Sequence, residues 1–436
     1  MSGGAFELSD AIGRNVVRAV VLVGLVATMA AAPALAQFVQ YTPPGFFEPR
    51  RENTAKILER HMTDARWKTG RLYLDPWVGM RDSGYRDPVA GTDGGDLTVS
   101  LGLGVRGWLP VGSDFTLTAH LLPEYTWWRE FSERNRWNGR YGAGLFGNFG
   151  RTGMEITARL DEYASYFSRE FEQQVNTRED EVAAKFEVNV WSELSVFFGG
   201  ALAWIDYETE DFLPLPSPSA VDRDESRGTV GVNYRFPYGV TAGLGAEYTK
   251  ADFEPGPSDR SNSGTAPVLL VDFEGNQLFV TANLAYRSLT PDGASQFVDY
   301  DGVTGRFQIS WRTLERLELQ LFGSNLLAYS FTDTWAYYEY RPIGLGVRYA
   351  FTDWARGRLF GETGADRYTL FEAAGPDRTD DFDTWGLDFD FKLYRVWLGV
   401  SYSETDYNSN LPAFDRSIRR LGFNVGLGTG NGISWR

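Results

Sequence analysis

Arginine is the residue whose type and placement in this chain could do chemistry. Arg106, Arg306, Arg312, Arg348, Arg356 and Arg358 each fall on the polar side of a segment in which apolar and polar residues alternate. A guanidinium is planar, permanently charged and forked, so it meets a carboxylate, sulfate or phosphate through two hydrogen bonds at once. The last five lie on neighbouring segments with few acids read among them, and form the candidate basic cluster. Alternation puts about sixteen bases and about ten acids on that polar side over the whole chain. Yet the chain holds 42 Lys and Arg against 58 Asp and Glu, a net charge of -16, so the acids must gather in connections and rims. A basic wall in a low-dielectric tube concentrates anions and guides them. The same residues could instead pair across strands and stiffen the wall. Both readings stay open.

Other chemistry is thin. The two histidines are His61 and His120, and His120 falls on the polar side near Glu124, where a wall hydrogen bond is the simpler expectation than an acid–base pair. With no cysteine and two histidines, a His/Cys metal cluster cannot form, and neither metal, cofactor nor catalysis is expected. The acidic runs Asp222, Asp224, Glu225 and Asp377, Asp380, Asp381, Asp383 lack the register of a calcium loop and read as solvated, self-repelling loops. The acidic balance argues against a nucleic-acid partner.

The elements that must position the arginines are strands. From Gly95 to Leu121, Leu97, Val99, Leu101, Leu103, Val105 and Leu109 alternate with Thr98, Ser100, Gly102, Gly104, Arg106 and Trp108, and a turn at Val111–Asp114 leads into a second alternating arm. Period-two alternation over a dozen residues means a strand with one apolar and one polar face. The hairpin recurs, with short turns at Gly150–Gly153, Pro237–Gly239, Glu274–Asn276 and Tyr394–Arg395 among others, and longer polar connections such as 208–226 and 251–265. About eighteen strands result, in a range of sixteen to twenty. No run of about 18 apolar residues follows residue 36, mean hydropathy is -0.31 and aromatics reach 15%, which together fit an all-β transmembrane barrel of the outer-membrane type. Trp108, Tyr238, Trp311, Phe351, Trp354 and Tyr394 near the short turns, and Trp127, Trp128, Trp204, Trp335, Tyr337, Tyr338 and Trp385 near the other ends, are expected to form two interfacial girdles.

Residues 1–36 read as a cleaved signal peptide: Arg14 and Arg18 flank the apolar run Ala19–Ala32, and Pro33-Ala34-Leu35-Ala36 supplies an A-x-A site. Residues 37–67 are not strand-like, with a breaker cluster at Thr42–Gly45 and a short helix expected between Glu52 and Arg66. This segment lies in the periplasm or enters the barrel mouth, with Glu52, Arg60 and His61 as candidate gate residues. The barrel is expected over residues 68–436, with both termini periplasmic. Its last strand carries Leu421, Phe423, Val425 and Leu427 on one face, similar to the alternating signal read by barrel-assembly machinery.

The segment Arg71-Leu72-Tyr73-Leu74-Asp75-Pro76-Trp77-Val78-Gly79 and the Gly/Leu hairpin after Gly95 resemble the outer-membrane β-barrel porins found with exopolysaccharide secretion, and in outline the alginate-export type of barrel. That resemblance implies a bacterial outer-membrane conduit for a hydrophilic anionic solute, above all an exopolysaccharide. Its implied partners are outer-membrane lipid and lipopolysaccharide, the assembly machinery and periplasmic polysaccharide-secretion proteins. The alternative is a structural or surface-interaction barrel with a filled lumen and acidic outer loops.

Overall fold

The computed structural model describes residues 54–87, 95–166, 170, 174–208, 221–254, 259–371, 375–394 and 396–427. The signal-peptide and 37–53 readings, Glu52 and the tail Thr429–Arg436 lie outside the described residues.

Helix α1 (Thr54–Asp64) comes first, then a three-residue arm β1 (Trp67–Thr69) that turns at Gly70, φ +60°, and pairs back on β2 (Leu72–Asp87). Hairpin arms follow in order: β3 (Asp96–Val111), β4 (Phe115–Trp128), β5 (Arg136–Phe149), β6 (Thr152–Tyr166), β7 (Gln174–Asn189) and β8 (Leu194–Glu208). Next come β9 (Arg223–Arg235), β10 (Val240–Phe253), β11 (Asn262–Glu274), β12 (Leu278–Pro291), β13 (Tyr300–Leu314) and β14 (Leu317–Tyr329). The chain closes with β15 (Trp335–Thr352), β16 (Ala355–Leu370), β17 (Arg378–Leu393), β18 (Val396–Ser409) and β19 (Arg416–Leu427). Every barrel strand is antiparallel to its chain neighbour, and β19 pairs with β2, from Arg419 opposite Asp87 to Leu427 opposite Val78. The eighteen strands β2 to β19 therefore form a closed barrel. Closure leaves no edge whose backbone groups would lie unpaired in hydrocarbon, at several kcal/mol each.

Alternation sets the two faces. Along β15, Ile343, Leu345, Val347, Tyr349 and Phe351 are exposed, while Gly344, Gly346 and Arg348 between them are more buried and point inward. Leu101 and Leu103 on β3, Leu244 on β10 and Leu359 on β16 extend the apolar outer surface. Inside, aromatic rings lie over glycines of the adjacent strand. A Cβ on Gly344 would come within 2.5 Å of the Phe322 ring, so only glycine leaves room for it.

The girdle expectation holds for Trp127, Trp204, Trp311, Phe351, Trp354, Trp385, Tyr238 and Tyr394, all exposed. It fails for Trp108, Trp128, Trp335, Tyr337 and Tyr338, which are buried. Trp108 and Trp128 share the inward parity of Arg106 and Thr126, and Trp335, Tyr337 and Tyr338 pack in clusters at the long-loop end. The acidic runs are corrected too. Both enter strands, so their residues alternate: Asp224, Asp381 and Asp383 face out, while Glu225 and Asp380 are buried.

Candidate functional site: the barrel interior

The interior wall is a lattice of charged and polar side chains whose neighbours are fixed by strand register. Arg312 on β13 stands opposite Glu318 on β14, Glu318 opposite Arg348 on β15, Arg348 opposite Arg358 on β16, and Arg358 opposite Asp388 on β17. One lateral row thus carries three guanidinium groups and two carboxylates. Glu318 is shared, with Arg348 Nη1 at 3.3 Å from Oε1 and Arg312 Nη2 at 3.9 Å from Oε2. Arg358 is 3.5 Å from Asp388, donates from Nε to Gln320 Oε1 at 3.2 Å and lies over the Phe360 ring. Arg356 pairs with Asp390 at 2.9 Å.

The reading of few acids around this cluster is therefore corrected. Glu318, Asp388 and Asp390 sit among the arginines, because antiparallel register pairs residues far apart in sequence. The pairing does not neutralise the row, which keeps one positive charge in excess. Accessibility divides it as well: the Arg312 and Arg348 side chains are 38% and 30% exposed, whereas that of Arg358 is 3% exposed. Arg306 on β13 is exposed into the lumen. Arg106 lies elsewhere on the wall, with Asp75 and His120 opposite it on β2 and β4.

A second uneven group went unnoticed in the sequence. Glu247 on β10 takes Arg287 Nη2 at 2.6 Å and Arg227 Nη1 at 3.8 Å, again two guanidinium groups on one carboxylate. On β6 and β7 the balance reverses, where Arg159 meets Glu179, Glu181 and Asp161. Both cross-strand pairing and a basic bias are thus built into one wall. Among the described residues no group of three or more His, Cys, Asp or Glu could hold a metal ion.

Each end of the lumen is partly occupied by the chain. At the short-turn end, Leu58 of α1, with Met62 and Ala65, packs against the inward side chains Trp108, Tyr73 and Phe146. Their spacing of four and three residues lines one side of the helix. His61 tilts against Trp108 with ring centroids 5.6 Å apart, and Lys68 Nζ donates to Thr63 O at 3.0 Å where the helix ends. His61 therefore sits at the mouth against Trp108, the inward position next to Arg106 on β3, and Arg60 precedes it on the helix.

At the long-loop end, connections fold inward. Phe331, between β14 and β15, packs with Tyr207, Val221 and Phe253. Phe297, between β12 and β13, packs with Tyr300 and Tyr337. Arg260, between β10 and β11, is fully buried and donates to Thr332 O at 2.6 Å and to Trp335 O at 3.4 Å. Its burial pulls its pKa down to about 10.

With this geometry in place, the barrel can be set beside known structures. It is similar to Pseudomonas aeruginosa OccK2 (OpdF), at 13% identity and a TM-score of 0.51 over 82% of this chain and 98% of that one. Pseudomonas aeruginosa OccK9 (OpdG) gives 12% identity and 0.51 over 81% and 98%. Pseudomonas aeruginosa OpdK with vanillate gives 14% and 0.50 over 81% and 98%. The chain has the fold of an 18-stranded outer-membrane porin. No protein-family model matches it, and neither does any curated protein. At these identities the likeness concerns architecture, and it carries the porin fold without the exopolysaccharide association.

Proposed function

We propose that this protein is a bacterial outer-membrane pore through which small hydrophilic anions diffuse. The observation that carries the reading is the lateral row Arg312–Glu318–Arg348–Arg358–Asp388, which leaves one positive charge in excess and exposes Arg312 and Arg348 to the lumen. A charged row within low-dielectric walls raises the local concentration of counter-ions. Arg306 and the Arg227–Glu247–Arg287 group add the same bias at other points. OpdK, a porin of the same architecture, was crystallised with vanillate, a small organic anion, which favours a solute of that size. The inward-packed Phe297, Phe331 and Arg260 favour small solutes over an exopolysaccharide chain, because a polymer would have to displace all three connections.

In this reading the short turns and both termini face the periplasm, and the long connections face lipopolysaccharide outside. The final strand, with Leu421, Phe423, Val425 and Leu427, addresses the assembly machinery, and α1 with Arg60 and His61 narrows the periplasmic mouth. The test is the reversal potential of the refolded protein in a planar bilayer under a salt gradient. Anion preference supports the reading. Cation preference, or no conductance even after residues 37–66 are removed, would overturn it in favour of a filled, surface-interacting barrel.

A further inference from the structure

Glu170 lies in the connection between β6 and β7, yet its carboxylate is fully buried against the far side of the barrel mouth. Oε1 accepts from Ser330 Oγ at 2.7 Å, and Oε2 accepts from the Phe331 backbone N–H at 2.9 Å. Both donors belong to the β14–β15 connection. A third donor, the Arg378 guanidinium at the start of β17, stands with Nη1 3.7 Å from Oε1. In the closed strand order, β7 and β17 are on nearly opposite sides of the barrel.

The groups around this carboxylate are held in place without it. Ser330 Oγ accepts from Thr332 N at 3.2 Å, which turns its own proton toward Glu170. Arg260 fixes the same connection through Thr332 O and Trp335 O. Arg378 is anchored by two bonds to Asp380, Nε to Oδ1 at 3.0 Å and Nη2 to Oδ2 at 2.6 Å, and is stacked on Phe414, Tyr368 and Trp335. The result is a preformed cradle of three donors with aromatic walls. One donor is badly served: Arg378 Nη1 is buried, and no hydrogen-bond partner lies in range among the described residues. A carboxylate tethered to the chain reaches two of the three donors and falls short of the third.

We propose that this cradle is a carboxylate-binding site at the outer mouth, occupied by Glu170 as an internal stand-in, and that a small free carboxylate competes with it. A free ligand is not restrained by a backbone and can satisfy Nη1 as well as Ser330 and Phe331. Binding it displaces Glu170 and releases the joint across the mouth. Only the solute's onward route rests on the anion-pore reading; the competition does not.

Benzoate is the probe, because it is a small rigid carboxylate with no other polar group, and benzamide is its neutral isostere. Calorimetric titration of the refolded full-length barrel is expected to show Glu170→Ala binding benzoate at least about tenfold tighter than the wild type, since the internal competitor then no longer occupies the site. Benzamide should show no gain, and adding Ser330→Ala to Glu170→Ala should remove most of it. Should Glu170→Ala fail to fold, by heat-shifted mobility, Glu170→Asp keeps the charge on a shorter tether and should still raise benzoate affinity several-fold. Equal benzoate affinity in the wild type and a folded Glu170 variant, or an equal gain for benzamide, overturns the proposal. That result alongside an anion-selective reversal potential would leave the pore reading standing. Cation selectivity with the benzoate gain intact would do the reverse.

Discussion

Arg348 and Arg358 face each other directly across the β15–β16 ladder, two like charges in one register position, each drawn outward along the row to a carboxylate: Arg348 to Glu318, Arg358 to Asp388. Like charges directly opposite are destabilising unless flanking acids offset them. The two arginines differ in what surrounds them, and so they should differ in what they do.

The Arg348 side chain is 30% exposed and shares Glu318 with Arg312, so its charge is read by the lumen. Arg348→Gln should move the reversal potential toward cations, with a smaller loss of stability than at a buried pair, as expected for a partly solvated one. Arg358 is buried against Asp388, Gln320 and the Phe360 ring. Arg358→Gln should shift selectivity less than the Arg348 variant and cost about 3 kcal/mol, because Asp388, itself largely shielded from solvent, would lose its cation. Planar-bilayer recordings and urea titration in lipid vesicles separate the two. Equal selectivity shifts would mean that burial does not sort these charges.

The strands that carry this row were legible because alternation is a property of each segment alone. Eighteen strands and the short turns could be placed from it. Strand ends could not: β7 begins at Gln174, β15 at Trp335 and β17 at Arg378, each earlier than the apolar pattern suggests. Pairing continues above the lipid, where no apolar face is required and alternation loses its meaning. Arg312 and Glu318 are six residues apart, but Glu318 and Arg348 are thirty apart, and only register unites them. Glu170 carried no signal at all: one acid in an aperiodic connection reveals nothing of the strand it reaches.

Helix α1 offers a prediction at the opposite mouth. Leu58 is buried against the group that includes Trp108, and removing an apolar anchor of that size costs about 2–5 kcal/mol when the site cannot collapse. The barrel does not depend on this contact for closure, so the loss should fall on docking alone. Leu58→Asp should raise single-channel conductance and expose residues 54–64 to protease while heat-shifted mobility stays normal. Unchanged conductance with the helix cleaved would show that α1 does not restrict the path.

Gly344 tests the packing of rings over glycines. A Cβ there would meet Phe322 at 2.5 Å and the Gly361 carbonyl at 2.7 Å, and Phe322 is itself buried. Gly344→Ala should therefore cost about 1–3 kcal/mol through forced repacking. Gly228 on β9 has nothing within 4 Å of the same added atom, so Gly228→Ala should be close to neutral. Urea midpoints of the two variants provide the comparison, and a larger loss at Gly228 would contradict it.

Asp222 gives the rim a pH dependence whose sign can be worked out. It lies in the connection before β9, and its Oδ1 accepts from the Tyr207 backbone N–H at 2.7 Å. Burial, reinforced by the nearby Asp206 and Glu254 carboxylates, outweighs that bond and the Arg223 charge and pushes its pKa up to about 7. The folded rim therefore binds this proton more tightly than the unfolded chain does. Its stability is greatest at acid pH and declines as pH rises from the ordinary carboxylate range through about 7. Hydrogen exchange at the Tyr207 amide, corrected for the intrinsic rate, should accordingly show less protection at pH 8 than at pH 5.5. Asp222→Asn keeps an oxygen acceptor and carries no charge, so it should hold protection level across that range. Equal protection in the wild type at both pH values would mean that Asp222 titrates like an ordinary surface carboxylate.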